Sequence, residues 1–272
     1  MVCIADGCGW GVQARDAAVS ARDAFMQCLG RDMPRFKSDP CNLLGAVMVA
    51  HDRILEGKAS PLDAGTTTLL GGIVSPDKES LFDFSFVSVG DCKAFHRKAA
   101  SGEVMDLNRE SRTGCSDAKD PGGRIGPSDE EGKPDLRNLC TYRCLGEDGD
   151  VILLVSDGVA DNFDPELHGL MPNDCGAGGD DAASWKSMRN ASALKSDWAC
   201  EKLGEILGKE SHDKFCATHA VQILLAYCEQ LTHSSREFLE NARSGKLPRD
   251  YTKYPGKLDH ATCMCISITK HV

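Results

Sequence analysis

The apolar residues of this chain change period along its length, and each change marks an element. Val151 to Val155 is an unbroken apolar run, VILLV, the pattern of a strand buried on both faces, and it ends in Ser156-Asp157-Gly158. Val2 to Ala5 is a second such run and ends in Asp6-Gly7. Thr262 to Ile268 is a third, with Asp259 just ahead of it. Phe82, Phe84 and Phe86 alternate with Asp83 and Ser85, the period of a half-buried strand, and Val87 to Val89 continue it to Gly90-Asp91. Further strands are predicted over Thr66 to Val74, Val104 to Leu107 and Leu139 to Leu145, with Cys92 to Arg97 as the returning arm of a hairpin.

Between these runs the period becomes helical. Ala17, Ala18, Ala21, Phe25, Cys28 and Leu29 form one stripe, which predicts a helix from Ala14 to Leu29 closed by Gly30. A second helix is predicted from Asn42 to Leu55, with Asp39 as N-cap and Pro40 at the first helical position. Helical runs also cover Leu194 to Leu207, His212 to Thr232 and Ser234 to Ala242, and Asp164-Pro165-Glu166 opens a short helix. Two polar stretches stand apart. Asn108 to Asn138 reads as a long surface excursion, a functional flap or a mobile insertion. Asn173 to Ala183 is small, acidic and glycine-rich. Strands and helices are grouped and do not alternate. This predicts an α+β fold of two packed antiparallel β-sheets flanked by helices, in a single domain over residues 1–272.

Net charge narrows the function. The chain carries 41 acids and 31 bases, net −10, which argues against nucleic acid or an anionic membrane as the main partner. No apolar run is long enough to span a bilayer, and no signal peptide is recognised. The 14 cysteines are scattered, and Cys3, Cys200, Cys216, Cys228, Cys263 and Cys265 lie in apolar segments. Reduced core thiols in a cytoplasmic or nuclear protein are expected. The spacings of Cys140/Cys144 and Cys263/Cys265 do not make the paired motif of a zinc site. In such a compartment the Asn190-Ala191-Ser192 glycosylation pattern has no consequence. The GCGWG turn after the first strand invites a dinucleotide-binding reading. However, an acid precedes the glycines, and no βαβ series follows.

The chemistry gathers on aspartates. A carboxylate at the edge of a buried strand is costly unless a cation sits against it. Asp6 and Asp157 lie at the C-terminal ends of their strands, and Asp259 before the start of its own. If the last strand runs antiparallel to the others, all three reach one edge. Each alone is explained as a turn residue. Together they make a set of hard oxygen ligands suited to Mg²⁺ or Mn²⁺, and Gly7 leaves its carbonyl open to a metal. Asp91 and Asp161 are weaker candidates for an extra ion. Asp161 is otherwise a helix cap and Asp91 a turn residue.

Five stretches, in order, resemble the PPM-type (type 2C) metal-dependent protein serine/threonine phosphatases: IADGCGWG at Ile4 to Gly11, GTTTLLGGIV at Gly65 to Val74, SVGDCKAF at Ser88 to Phe95, VSDGVADN at Val155 to Asn162, and GKLDHATCMCISI at Gly256 to Ile268. The resemblance spans almost the whole chain. It implies face-to-face antiparallel sheets with helices outside. It also implies that Asp6 bridges two Mg²⁺ or Mn²⁺ ions, that the Gly7 carbonyl binds one, and that Asp157 and Asp259 bind the other. Asp91 and Asp161 match the acids that some members use for a third, looser ion. The implied reaction is attack of a metal-activated water on phosphoserine or phosphothreonine of a phosphoprotein substrate.

The departures are specific. Cys8 stands where many members carry His, a candidate general acid, and His260 replaces the usual Asn or Asp. Family members have an earlier strand or hairpin bearing a phosphate-binding Arg. The expectation here is a domain without it, with Arg112 or Arg124 contacting the phosphate instead. The other reading is a catalytically weak or inactive phosphatase-like domain that regulates or scaffolds a partner.

Overall fold

The computed structural model describes residues 1–76, 82–112, 120–177, 184–208, 215–241, 247–248 and 250–269. In chain order its elements are β1 (Val2–Ile4), α1 (Val12–Arg31), α2 (Met33–Ser38), α3 (Asn42–Leu55), β2 (Leu69–Pro76), β3 (Phe82–Val89), β4 (Lys93–Arg97), β5 (Val104–Asp106), β6 (Cys140–Gly146), β7 (Val151–Val155), α4 (Asp157–Ala160), α5 (Ala191–Leu207), α6 (Ala217–Leu231), α7 (His233–Asn241) and β8 (Cys263–Ser267). Short 3₁₀ turns lie among them, including Asp161–Phe163 and Pro165–His168. The chain divides into two compact units, Met1–Cys92 with Ser111–Asp148, and Lys93–Glu110 with Gly149–Val272.

The first unit holds an antiparallel sheet in the order β1-β2-β3-β6. Helices α1 and α3 cover it, and their stripes meet the sheet in one core of Phe25, Leu29, Leu43, Val47, Ile54, Leu69, Ile73, Val87 and Val89. Each such side chain contributes about 1.5–3 kcal/mol by leaving water. On the other face of β3, Phe84 stacks on Phe86 and Phe86 on Tyr142. Ser85 is buried too, so from Phe84 on the strand is covered on both faces and is not half-buried as its alternation predicts.

The second unit holds an antiparallel sheet in the order β5-β4-β7-β8. All five residues of β7 are buried, as an uninterrupted apolar run predicts. Val151, Leu153 and Val155 join Leu203 and Leu207 of α5 and Leu224 of α6 in the core. The antiparallel pairing of β7 with β8, Val155 opposite Cys263, brings the end of one strand to the start of the other.

Four further expectations change. Cys92 to Arg97 is not the return of a hairpin from β3, because β4 pairs with β5 and β7 and belongs to the other sheet. Asp39 does not cap α3, whose N-cap is Cys41; it accepts the Cys41 N–H at 2.9 Å in the preceding turn. Residues 120–138 are not a surface excursion. Ile125 is fully buried, and bridges tie Thr67 to Ile125 and Arg124 to Asp135. Cys216 is exposed, whereas Cys3 and Cys228 are buried thiols that burial pushes up to about 12. Parts of the two polar stretches, 113–119 and 178–183, lie outside the described residues, as do 209–214 ahead of α6 and 242 after α7. No helix among the described residues is long and apolar enough to cross a membrane.

Candidate functional site

In the first unit the main chain of Asp6 is held by two threonines. Thr68 N–H donates to the Asp6 carbonyl at 2.8 Å, and Thr67 Oγ1 donates to the same oxygen at 2.7 Å. Gly7 bridges to Thr67, which bridges in turn to Ile125. A Cβ at Gly7 would strike the Ala14 carbonyl, so the glycine is required where the turn passes the first turn of α1. That packing demand is separate from the open carbonyl on which the metal reading rests. Cys8 N–H bonds the Thr66 carbonyl at 2.9 Å. Burial pushes the Cys8 thiol up to about 11, so it keeps its proton at neutral pH; a hydrogen bond to Thr66 and the Arg124 charge work against that rise, and Asp91 and Asp6 add to it. Asp6, Asp91 and Arg124 thus share the electrostatic surroundings of Cys8.

Asp91 is buried and follows Gly90, which Asn138 clamps from both sides: Gly90 N–H donates to Asn138 Oδ1 at 3.0 Å, and Asn138 Nδ2 to the Gly90 carbonyl at 2.9 Å. The Arg124 main chain pairs with Asp135, and its buried Nε has no hydrogen-bond partner among the described residues. The Arg112 side chain lies outside the described residues.

In the second unit three predicted acids come together. Asp157 opens α4 directly after β7, and Asp161 follows it by one helical turn. Ser156 fastens this edge to the segment leading into β8. Its N–H donates to the Thr262 carbonyl at 3.0 Å, and its hydroxyl accepts the Thr262 N–H at 3.0 Å. A Cβ at Gly158 would collide with the His260 carbonyl, so only glycine lets α4 lie this close to the residue after Asp259. Sequence reasoning missed what fills the point where the acids meet. Lys257 Nζ pairs with Asp157, with Asp161 at 2.9 Å and with Asp259 at 3.2 Å. Burial alone would lower the Lys257 pKa, but the Asp161 and Asp157 charges outweigh it and hold the pKa above the ordinary lysine value.

Asn162, also missed as a site residue, carries this lysine. Lys257 N–H donates to Asn162 Oδ1 at 2.9 Å, and Asn162 Nδ2 donates to the Lys257 carbonyl at 3.1 Å and to the Gly158 carbonyl at 2.8 Å. The available signal was local: a lysine two residues before an acid, in a segment already expected to bring that acid to two others. Asp259 also accepts the His260 N–H at 2.8 Å, while the His260 imidazole is exposed and 4.0 Å from it.

Among the described residues, no group of three or more His, Cys, Asp or Glu side chains forms a ready-made metal cage. The ammonium is itself the test of fit. One cation sits within ion-pair reach of three carboxylates, and their hard oxygens are the donors that Mg²⁺ and Mn²⁺ prefer. The Asp157, Asp161 and Asp259 set therefore fits a divalent ion in donor chemistry, and Lys257 is the cation that pairs with it in this structure.

No family model matches the chain. It is 33% identical over 175 residues to a PP2C-like domain-containing protein of Drosophila melanogaster, a match covering 60% of this chain and 24% of that protein. The chain thus spans about a quarter of the length of the curated relative it matches. Among solved structures it matches the Mycobacterium tuberculosis serine/threonine phosphatase PstP/Ppp, with 15% identity, TM-score 0.47, and coverage of 99% of this chain and 88% of that one. It also matches the photosystem II phosphatase PBCP, with 18% identity, TM-score 0.46, and coverage of 98% and 86%. The chain is thus similar, over 60% of its length, to a PP2C-like domain-containing protein, and its five ordered motifs resemble those of the PPM-type phosphatases.

Proposed function

We propose that this chain hydrolyses phosphoserine and phosphothreonine in proteins with the help of divalent cations, Mg²⁺ or Mn²⁺. The observation that carries the proposal is the meeting of Asp157, Asp161 and Asp259 at one point within the second unit. Three carboxylates this close are strongly repulsive without a cation. When bound, divalent ions supply Lewis-acid activation of a water and neutralise charge on the phosphoryl group.

The chain's own residues divide the remaining work. Asp157 and Asp259 offer oxygens for one ion, and Asp6 and the Gly7 carbonyl are the ligands that the first unit's motif supplies. Asp161 in the second unit and Asp91 in the first are each a candidate ligand for a further, looser ion. Arg124 holds the phosphate. Its guanidinium is near the Cys8 thiol, and its buried Nε is a donor awaiting an acceptor. Arg112 remains a second candidate for that contact. Cys8 keeps its proton and hydrogen-bonds Thr66, so it positions the Gly7 turn and does not act as an acid or base at neutral pH.

A second reading, a phosphatase-like regulatory or scaffold domain, is favoured by one observation, the lysine at the cation position. Phosphate release from a phosphoserine peptide, measured with and without Mn²⁺, separates the two. The enzyme reading expects Mn²⁺-dependent release that is lost in Asp157→Asn. Release at background level in both proteins decides for the scaffold.

A further inference from the structure

A lysine is an unusual centre for three carboxylates that also have the chemistry of metal ligands. Two features mark Lys257 as a built part of the cluster. Its main chain is fixed on both sides by the carboxamide of Asn162, which is itself 1% exposed. Its side chain is 28% exposed, so the ammonium has a route to water while its backbone stays in place. Four single bonds in the stem give the head room to swing out without moving the mount.

The charges also matter. Three carboxylates and one ammonium leave the group at a formal −2. That still attracts a divalent cation, and the lysine satisfies the acids until one arrives. We propose that Lys257 is a tethered cation which occupies the carboxylates of Asp157, Asp161 and Asp259 in the resting protein and leaves them when a divalent ion binds. Metal loading is then an exchange of one cation for another. This deepens the functional reading above and rests on it, because the incoming ion is the one that reading requires. An exchanging site binds metal more weakly than its three carboxylates allow, and the fold does not depend on metal to neutralise them.

The test uses Mn²⁺ alone and needs no substrate. Calorimetric titration of the whole chain is compared with that of Lys257→Met. The expected result is a Kd for Mn²⁺ about tenfold lower in the variant, about 1.4 kcal/mol. Without metal the variant should melt about 5 °C lower, because three carboxylates lose their counter-ion. Mn²⁺ should restore more of that loss than it adds to the parent protein.

A second arm leaves the protein unmutated. Acylation of Lys257 by an amine-reactive reagent, read by mass spectrometry, should rise several-fold on saturation with Mn²⁺. Lys195, held by Asp164 and Glu166, serves as the unresponsive control. Tighter Mn²⁺ binding by the variant, or metal-driven acylation of Lys257, supports the exchange. Equal Mn²⁺ affinity with unchanged acylation overturns the exchange and leaves the metal reading standing. If neither protein takes up Mn²⁺, the metal reading itself falls and the exchange falls with it. Should Lys257→Met fail to fold, the acylation arm decides.

Discussion

Asn162 is the residue whose removal should reveal most about how the second unit is held. Its side chain is buried and makes three hydrogen bonds to main-chain groups, one to Gly158 beside Asp157 and two to Lys257 beside Asp259. Asn162→Ala deletes all three. A typical hydrogen bond contributes about 1 kcal/mol net, and a buried group left unpaired costs about 1–3 kcal/mol. Water entering the vacated space recovers part of this, so the expected loss is about 2–4 kcal/mol. For a chain of this size that lowers the melting temperature by about 5–15 °C. Urea denaturation followed by far-UV circular dichroism gives the free energy, and Mn²⁺-dependent phosphate release should fall with it. Asn162→Asp is the discriminating control. It keeps the acceptor for Lys257 N–H but turns both donor bonds into contacts between a carboxylate and carbonyl oxygens. It should be at least as damaging as alanine. If either variant unfolds within 0.5 kcal/mol of the parent, about the scatter of an ordinary surface substitution, the clamp described here is not what holds these segments together.

Further outcomes follow from the same geometry. Gly158→Ala should cost about 1–3 kcal/mol, because the new methyl meets the His260 carbonyl; the melt reads it directly, and unaltered stability would contradict the close approach. Arg124→Ala should raise KM for a phosphopeptide by about tenfold or more, with Arg124→Lys in between, as expected when a guanidinium that grips phosphate is lost; an unchanged KM would remove Arg124 from the site. Stability should also fall with acid. Burial lowers the pKa of both His51 and His168 below the ordinary 6.5. The unfolded imidazoles take up protons as pH drops through about 6.5, while the folded ones still resist. Stability is therefore full above that pH and declines below it, so the urea midpoint at pH 5.5 should lie under that at 7.5. A flat or rising midpoint would count against buried neutral imidazoles.

The legible parts of the fold were those where one side-chain period decides. Asn42–Leu55 came out with the expected bounds, and β7 is buried throughout because nothing polar interrupts it. The pairing of β4 was misread because sequence neighbours usually pair, whereas here the chain changes sheets after Gly90-Asp91. Helix α2, MPRFKS, went unseen because six residues carry no stripe. The stretch after Asn108 looks polar by composition, yet its second half buries Ile125 and is stitched by single bridges, a pattern without period. At the site, the sequence asked for a cation against the acids, and the structure puts the Lys257 ammonium there. A motif names its acids, but not the lysine among them, which lies 96 residues beyond Asp161 and two before Asp259.

The span between partners in the second unit has a consequence for how the chain is made. Asp157 and Asp161 leave the ribosome well before their counter-ion, which lies 96 residues beyond Asp161. At the usual pace of synthesis that interval is about 5–20 seconds. Throughout it β7 lacks the neighbour that borders it on one side, since β8 comes later still. A nascent chain halted inside this window exposes an acidic, half-paired hydrophobic edge. Quality-control proteases and chaperones should meet the molecule there first.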